Sequence, residues 1–264
     1  MTAETGTADT ITADATPWAG RHARKDATRR AVWAGLQEAG VAVGRAIGSI
    51  PHFAGADLAA WHLARTPAWG RARNVKVNPD AAQIPVRLHA LLAGKTLYMP
   101  VPRLAADPAY LRLDPARLAE AGVSFELAAT AQGALQHGEP VDFAQVAPLD
   151  LCVFGAVAVT RAGARLGKGA GFADIETGLF HDLGRIGPHT VMATTVHDLQ
   201  LCEPDAVPME PHDTWLGLIA TPSGVIGTGA PVRTTGLDRA RLRRDQIAAM
   251  PVLRKLSAGQ PPRA

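Results

Sequence analysis

The chain reads as an α/β protein with a mostly parallel sheet in one large domain, and three observations lead there. Residues 74–104 run strand, helix, strand, an order that joins parallel neighbours through a right-handed crossover. Leu149 to Thr160, "LDLCVFGAVAVT", is, beyond Asp150, a continuous apolar and β-branched run of the kind a strand shows when both faces are covered. Elsewhere strand-like and helix-like segments alternate without a long repeat. The 264 residues, 47% of them hydrophobic, suffice to bury such a core.

Residues 1–20, rich in Thr, Ala and Asp, are expected to be a disordered lead without the basic start and apolar centre of a secretory signal. No apolar run approaches the roughly 18 residues of a membrane span. Two cysteines, Cys152 and Cys202, are expected as reduced thiols, which together with the missing span points to a cytoplasmic protein without a membrane partner. "RKDATRRAVWAGLQEAG" predicts a helix with Ala31, Val32, Leu36 and Ala39 as its apolar stripe and Gly40 as its stop. After a break at Pro51 and Gly55, "GADLAAWHLART" predicts a second helix. "NVKVNP" is a strand, "AAQIPVRLHALLAGK" holds a helix with Pro85 in its first turn and Gly94 at its stop, and "TLYMPVPRL" is the next strand. Residues 105–148 are Ala-rich and weakly patterned, so short helices and loops are expected. After the apolar run, "GARLG" adds a short segment and "GFADIETGLFHDLGRIG" a helix, while "HTVMATTVHDLQL" and "TWLGLIATPSGVIGTG" supply further strands. Beyond Leu237 a basic helix and a Pro-rich end are expected to be peripheral. The expected organisation is a lead at 1–20, an α/β domain at 21–236 and a tail at 237–264.

The stretch "ARLGKGAGFADIETG", Ala164 to Gly178, carries the chemistry. Gly167, Gly169 and Gly171 alternate around Lys168 and stand before a predicted helix. Glycine reaches positive φ without steric cost and lets backbone N–H groups approach a ligand. Successive N–H groups form an anion nest, and a helix N-terminus adds further donors and partial positive charge. Lys168 brings a formal charge, and Asp174, in the first helical turn, is placed to hold a Mg²⁺ that also touches phosphate oxygens. These parts suit the polyphosphate of a nucleotide. The spacing is neither G-x-x-x-x-G-K-[ST], since no Ser or Thr follows Lys168, nor a clean G-x-G-x-x-G. On spacing alone, a plain glycine-rich connection stays open.

"RLGKGAGFAD" resembles the "RLGxGxGYYDR" signature of the 5-formyltetrahydrofolate cyclo-ligases, also called methenyltetrahydrofolate synthetases. Arg165 to Glu176 resembles more closely the R-I-G-K-G-x-G-[FY]-A-D-L-E pattern of a sub-branch, the methenyltetrahydrofolate synthetase domain-containing proteins. "IPHFAGADLAA" (Ile50 to Ala60), the stretch Asn74 to Leu104, "TTVHDLQL" and "HDTWLGLIATPSGVI" resemble further landmarks of that branch in the same order. The resemblance implies a three-layer α/β/α fold similar to the NagB/RpiA/CoA-transferase-like group. It also implies ATP, Mg²⁺ and a folate-type substrate. In the family reaction the formyl oxygen of 5-formyltetrahydrofolate is phosphorylated, N10 attacks the iminium-like carbon, phosphate leaves, and 5,10-methenyltetrahydrofolate forms. By the same resemblance Gly167, Lys168, Gly169, Ala170 and Gly171 wrap the phosphates, with Arg165 adding charge and Phe172 keeping the place of the first motif aromatic. Arg165 and Lys168 are then the catalytic candidates and Asp174 the Mg²⁺ ligand. Lys25 and Arg29, four apart on one helix face, match a pair that approaches ATP. Arg24 and Arg30 compete for that assignment, and a solvated basic face is the other reading of the cluster.

The chain departs from the enzymes' pattern in five places: Ala173 and Ile175 replace a tyrosine and an arginine, Phe154 replaces a proline, and Thr160 and Gly217 replace aspartates. A second reading therefore stays open, a nucleotide-binding or regulatory protein that retains the phosphate loop and has lost the folate site. A net charge of only +3 argues against a nucleic-acid partner, the third and least favoured reading, which would use two basic clusters, Arg21–Arg30 and Leu237–Gln246; the second cluster is expected as a solvated helix face. His197–Asp198 and His212–Asp213 are adjacent pairs whose side chains diverge on a strand, so neither is read as a dyad. The tryptophans read as core or rim packing, with Trp61 and Trp69 the pair placed for stacking on a pterin or adenine ring.

Overall fold

Helix α1 (Ala23–Glu38) begins where His22 Nδ1 accepts the Lys25 N–H and ends ahead of Gly40, whose φ is 66°. Val32 and Leu36 face inward as expected and Trp33 joins them, while Ala31 and Ala39 face solvent. The structure is a computed structural model that describes residues 21–230 and 235–259. The expected lead at residues 1–20 and the Pro-rich end lie outside the described residues.

Helices α2 (Ala56–Ala64) and α3 (Pro67–Arg71) lead into strand β1 (Asn74–Val77). Helix α4 (Ile84–Leu92), opened by Pro85 and closed before Gly94 at φ 70°, returns the chain to β2 (Thr96–Pro100). Strands β1 and β2 pair in parallel, Val75 opposite Leu97, as the strand–helix–strand order predicts. Residues 105–148 hold more than the expected helices and loops. They contain β3 (Tyr110–Leu113), the short helices α5 (Pro115–Glu120), α6 (Phe125–Ala129) and α7 (Ala131–His137), and β4 (Glu139–Val141). The two strands escape the pattern for local reasons. In β3, Tyr110, Leu111 and Leu113 are all buried, which erases alternation, and β4 carries Pro140, tolerated because β4 is an edge.

The run Leu149–Thr160 is two strands rather than one. β5 (Leu151–Phe154) lies in the main sheet, and β6 (Ala158–Thr160) lies in a second sheet with β7 (Arg165–Leu166). Both are buried on both faces, so hydropathy cannot show the break. Gly155 sits at that break, where a Cβ would meet Asp80 Oδ2 at 2.7 Å and Ile50 at 3.0 Å. Helix α8 (Phe172–Asp182) follows, then β8 (Val191–Thr195), β9 (Leu201–Cys202), and the hairpin β10 (Leu218–Thr221) with β11 (Gly224–Gly227).

Among the described residues the main sheet has the order β11-β10-β8-β5-β1-β2-β3-β4, and the second sheet β7-β6-β9. The central pairs β10·β8, β8·β5, β5·β1 and β1·β2 are parallel, and antiparallel pairs sit toward the edges. Helices cover both faces. α2, α4, α6 and α7 enclose a core built on Val75, Val77, Leu97 and Val153, and α8 encloses one built on Tyr110, Phe154 and Phe180. The expected α/β architecture with a mostly parallel central sheet is observed.

The segment beyond Leu237 is not peripheral. It forms two short helices, α9 (Arg244–Ala249) and α10 (Pro251–Ser257), and Met250 and Leu253 are wholly buried in the same core as Ile175 and Phe180. Arginines dominate the segment's composition and mask this apolar seam. Both cysteines are free, and burial pushes the Cys152 thiol up to about 12, which leaves it inert. Among the described residues no helix is long and apolar enough to cross a membrane.

Candidate functional site

In an open parallel sheet the loops beyond the carboxyl ends of the strands form the binding crevice. Here Asn78–Asp80 follows β1, Pro100–Leu104 follows β2 and Gly155 follows β5, and all three border one cleft of about 540 Å³. That volume is in the range of small-molecule sites. The glycine loop between β7 and α8 forms another wall. Ten of the residues singled out from the sequence line this cleft: Lys25, Arg29, Arg165, Gly167, Lys168, Gly169, Ala170, Gly171, Phe172 and Asp174. Arg24 does not; it donates to Asp205 O at 2.9 Å, away from the cleft.

The loop is fastened by its carbonyls. Gly167 O accepts Arg29 Nε at 2.8 Å, Gly169 O accepts Arg21 Nη1 at 3.2 Å, and Ala170 O accepts Gln246 Nε2 at 2.8 Å and Arg243 Nη2 at 3.0 Å. Gly169 and Gly171 take φ of 106° and 79°, conformations that only glycine adopts readily. Among the described residues the amide N–H groups of Lys168, Gly169, Ala170 and Gly171 have no protein acceptor. A row of unspent donors at the N-terminus of the 11-residue α8 is an anion nest in composition and place.

Side-chain charge reinforces it. The Arg165 side chain is only 4% exposed; Nη2 donates to Asp174 Oδ1 at 2.9 Å, and Nε is buried with no acceptor among the described residues. The Phe154 ring lies under both Lys76 Nζ (4.2 Å) and the Arg165 guanidinium (5.6 Å), so the phenylalanine that replaces the enzymes' proline supports two cations. Burial would raise the Asp174 pKa, yet the charge of Arg165 and hydrogen bonds from Thr214 and Arg165 outweigh it and hold the carboxyl below its usual value. Lys25 Nζ pairs with Asp213 Oδ2 at 2.7 Å. Arg29 pairs with Asp26 at 2.6 Å, and burial lowers its pKa against the pull of Asp26.

Sequence reasoning missed several lining groups. Asp80 faces Lys168 at 3.6 Å and is held from below by Arg87, wholly buried, which donates to Asp80 O at 3.2 Å and to Asn78 O. Burial lowers the Arg87 pKa to about 10. Glu176, at the cleft floor, accepts from Lys76 Nζ and Tyr110 Oη, and Lys76 also reaches Asn78 Oδ1 at 2.5 Å. A lysine inside the apolar strand "NVKV" was the available signal for that network. His212 and Asp213 both line the cleft, against the expectation of divergence, because they occupy a turn rather than a strand. Arg103 lines the wall after β2 at φ 62°. Trp61 and Trp69 take no part: Trp61 lies under Arg65 at 4.6 Å, and Trp69 is buried with its carbonyl accepting Lys95. Thr160 and Gly217 are not among the lining residues.

Arg and Lys outnumber Asp and Glu in the lining, and the unspent loop amides and the orphaned Arg165 Nε fit a polyphosphate. Among the described residues no group of three or more His, Cys, Asp or Glu could cage a metal alone. Magnesium does not ask for one, since it is commonly held by one or two carboxylates together with substrate phosphates.

Fold and site thus define a mixed α/β protein with a glycine loop of unspent backbone amides at the carboxyl edge of its sheet. The model of the 5-formyltetrahydrofolate cyclo-ligase family matches residues 23–222, and the chain belongs to that family. It is 36% identical over 208 residues to the methenyltetrahydrofolate synthase domain-containing protein of Bos taurus, covering 78% of this chain and 54% of that protein. The Mus musculus protein of the same name is 37% identical over 208 residues, covering 78% of this chain and 55% of its own length. The chain therefore spans about half the length of these relatives. The solution structure of Aquifex aeolicus 5,10-methenyltetrahydrofolate synthetase shares its fold at a TM-score of 0.50 and 18% identity, covering 83% of this chain and 99% of that one.

Proposed function

We propose that the chain is an ATP- and Mg²⁺-dependent 5-formyltetrahydrofolate cyclo-ligase that forms 5,10-methenyltetrahydrofolate. The observation that carries this reading is the loop at residues 167–171, whose carbonyls are tied back by side chains while four consecutive amides have no protein acceptor. ATP, when bound, supplies the phosphoryl group that makes the formyl oxygen a leaving group. The amides of Lys168 to Gly171 and the Lys168 ammonium hold the polyphosphate. Arg165 presents its unspent Nε to the same anion, and Lys25 and Arg29 add charge from α1. Asp174, kept ionised by Arg165, is the carboxylate assigned to Mg²⁺. Phe172 supports the loop where the helix begins. The protein contributes position and charge rather than a covalent step, and these are large terms for such a reaction.

Incubation of the protein with ATP, Mg²⁺ and 5-formyltetrahydrofolate tests the reading, with the methenyl product followed by absorbance. Product formation that needs all three components is expected; ATP binding without product rejects this substrate. One observation favours a second reading. Ala173 lines the cleft where the enzymes place an aromatic ring, which fits a nucleotide-binding protein that has lost its folate site. Thermal stabilisation by ATP with no turnover across a panel of folates is the outcome that selects it.

A further inference from the structure

We infer that Arg243, from the C-terminal segment, belongs to the polyphosphate site and supplies a guanidinium in place of the motif arginine that Ile175 replaces. The inference rests on the nucleotide reading above. The family match ends at residue 222, so Arg243 lies outside it, yet it lines the same cleft as Lys168. Its Nη2 donates to Ala170 O at 3.0 Å and its Nε to Asp245 Oδ1 at 3.3 Å, while Nη1 has no acceptor among the described residues. Asp245 also pairs with Arg21 at 2.6 Å, so two guanidinium groups share one carboxylate at the rim of the loop. Burial and the neighbouring Arg21 charge both lower the Arg243 pKa, the mark of a cation that an anion would relieve.

The same substitution that removes one arginine explains how the other arrives. Ile175 is buried on α8 in the core that contains Met250 and Leu253. A charged side chain at 175 would stand in that apolar seam unpaired, at a cost the packing does not repay. With isoleucine there, α8, α9 and α10 share one apolar core, and Arg243, the residue before α9, stands at the loop. Gln246 makes the anchoring contact: its Nε2 donates to Ala170 O at 2.8 Å, and a Cβ on Gly171 would meet that nitrogen at 2.8 Å. Gln246 fastens the loop without charge, whereas Arg243 fastens it and carries charge, and this difference makes the two roles separable.

The test is calorimetric titration of the full chain with AMP, ADP, ATP and inorganic tripolyphosphate. Arg243→Ala, Arg243→Lys and Gln246→Ala are compared with the wild type. One charge-assisted contact to phosphate corresponds to a loss of about tenfold or more. Arg243→Ala is expected to weaken ATP and tripolyphosphate by that factor, to affect AMP least, and to be partly rescued in Arg243→Lys. Gln246→Ala, which removes a loop contact but no charge, is expected to weaken all four ligands alike and by less than Arg243→Ala weakens ATP. Wild-type affinity in Arg243→Ala overturns the inference. So does an equal loss in Arg243→Ala and Gln246→Ala that is the same for AMP and ATP, because that pattern reports loop fastening alone. If the wild type binds neither ATP nor tripolyphosphate, the nucleotide reading itself falls and takes the role of Arg243 with it.

Discussion

Lys168 Nζ stands 3.6 Å from Asp80 Oδ1, so the cation of the glycine loop and a carboxylate on the loop after β1 face each other across the cleft. The lysine side chain is 37% exposed and the aspartate 16%, so the pair is wet enough to exchange partners. On the proposed reading, an entering polyanion would compete with Asp80 for the same ammonium group. ATP should then raise the melting temperature of the wild type, and Lys168→Ala should abolish that rise. Asp80→Asn should do the opposite and tighten tripolyphosphate by a few fold, on the order of 1 kcal/mol for one removed like charge at this exposure. An undiminished ATP shift in Lys168→Ala would move the anion away from the loop.

The Lys76–Glu176–Tyr110 network is the most buried polar assembly beneath the cleft, with the Lys76 side chain 0% and Glu176 4% exposed. Removing one member leaves the others charged or unpaired in the interior. Glu176→Ala should cost about 3–5 kcal/mol in chemical denaturation, and Glu176→Leu combined with Lys76→Met should recover much of it. The Tyr110 pKa is raised well above that of a free phenol, by burial first and then by the charge and hydrogen bond of Glu176. In a spectroscopic titration of the two tyrosines, Tyr110 should stay protonated until the chain unfolds. Ionisation of both tyrosines in folded protein near pH 10 would contradict this account.

Legibility in the sequence followed the range of the interactions. The unit β1–α4–β2 was readable because Pro85 and Gly94 punctuate a helix between two short apolar runs, all of it local. The loop was readable because its glycines and Lys168 are contiguous. The resemblance implied Lys25 through its match, with Arg29, to a family pair, yet its partner Asp213 lies 188 residues away, and no periodicity announces such a meeting. Glu176 lies inside the motif itself, but its role depends on Lys76, 100 residues earlier, and on Tyr110 in a strand that hydropathy hid. The C-terminal helices were misjudged because five arginines in residues 237–254 outweigh Met250 and Leu253 in composition, although burial is decided by those two.

Arg103 and Leu104 take φ of 62° and 52°, consecutive left-handed positions held by residues with side chains. Each such position costs about 1–2 kcal/mol relative to a right-handed one. Leu104 is buried in the core and is anchored by packing, whereas Arg103 is exposed at the cleft wall. Arg103→Gly should therefore raise stability by about 1 kcal/mol, read as a higher urea midpoint with an unchanged slope. A lower midpoint would mean that the arginine side chain makes a stabilising contact that outweighs the backbone strain.

Asp174 contributes to the acid limb of the stability profile. Its carboxyl, with an ordinary value of 3.8, is held lower in the folded protein, because the Arg165 charge and hydrogen bonds from Thr214 and Arg165 outweigh the opposing effect of burial. A carboxyl with a depressed folded pKa stabilises the fold fully above its unfolded pKa, and that contribution drains away as pH falls through the folded value. The wild type should therefore lose stability from about pH 4 downward. Asp174→Asn should be less stable than wild type at pH 7, and the gap should narrow as the pH falls below about 4 and Asp174 takes up its proton. The comparison needs only denaturant midpoints at a series of pH values, with no ligand present. A constant gap between the two proteins from pH 7 to pH 2 would show that Asp174 contributes by shape rather than by charge, and Arg165 would then need another counter-ion in the cleft.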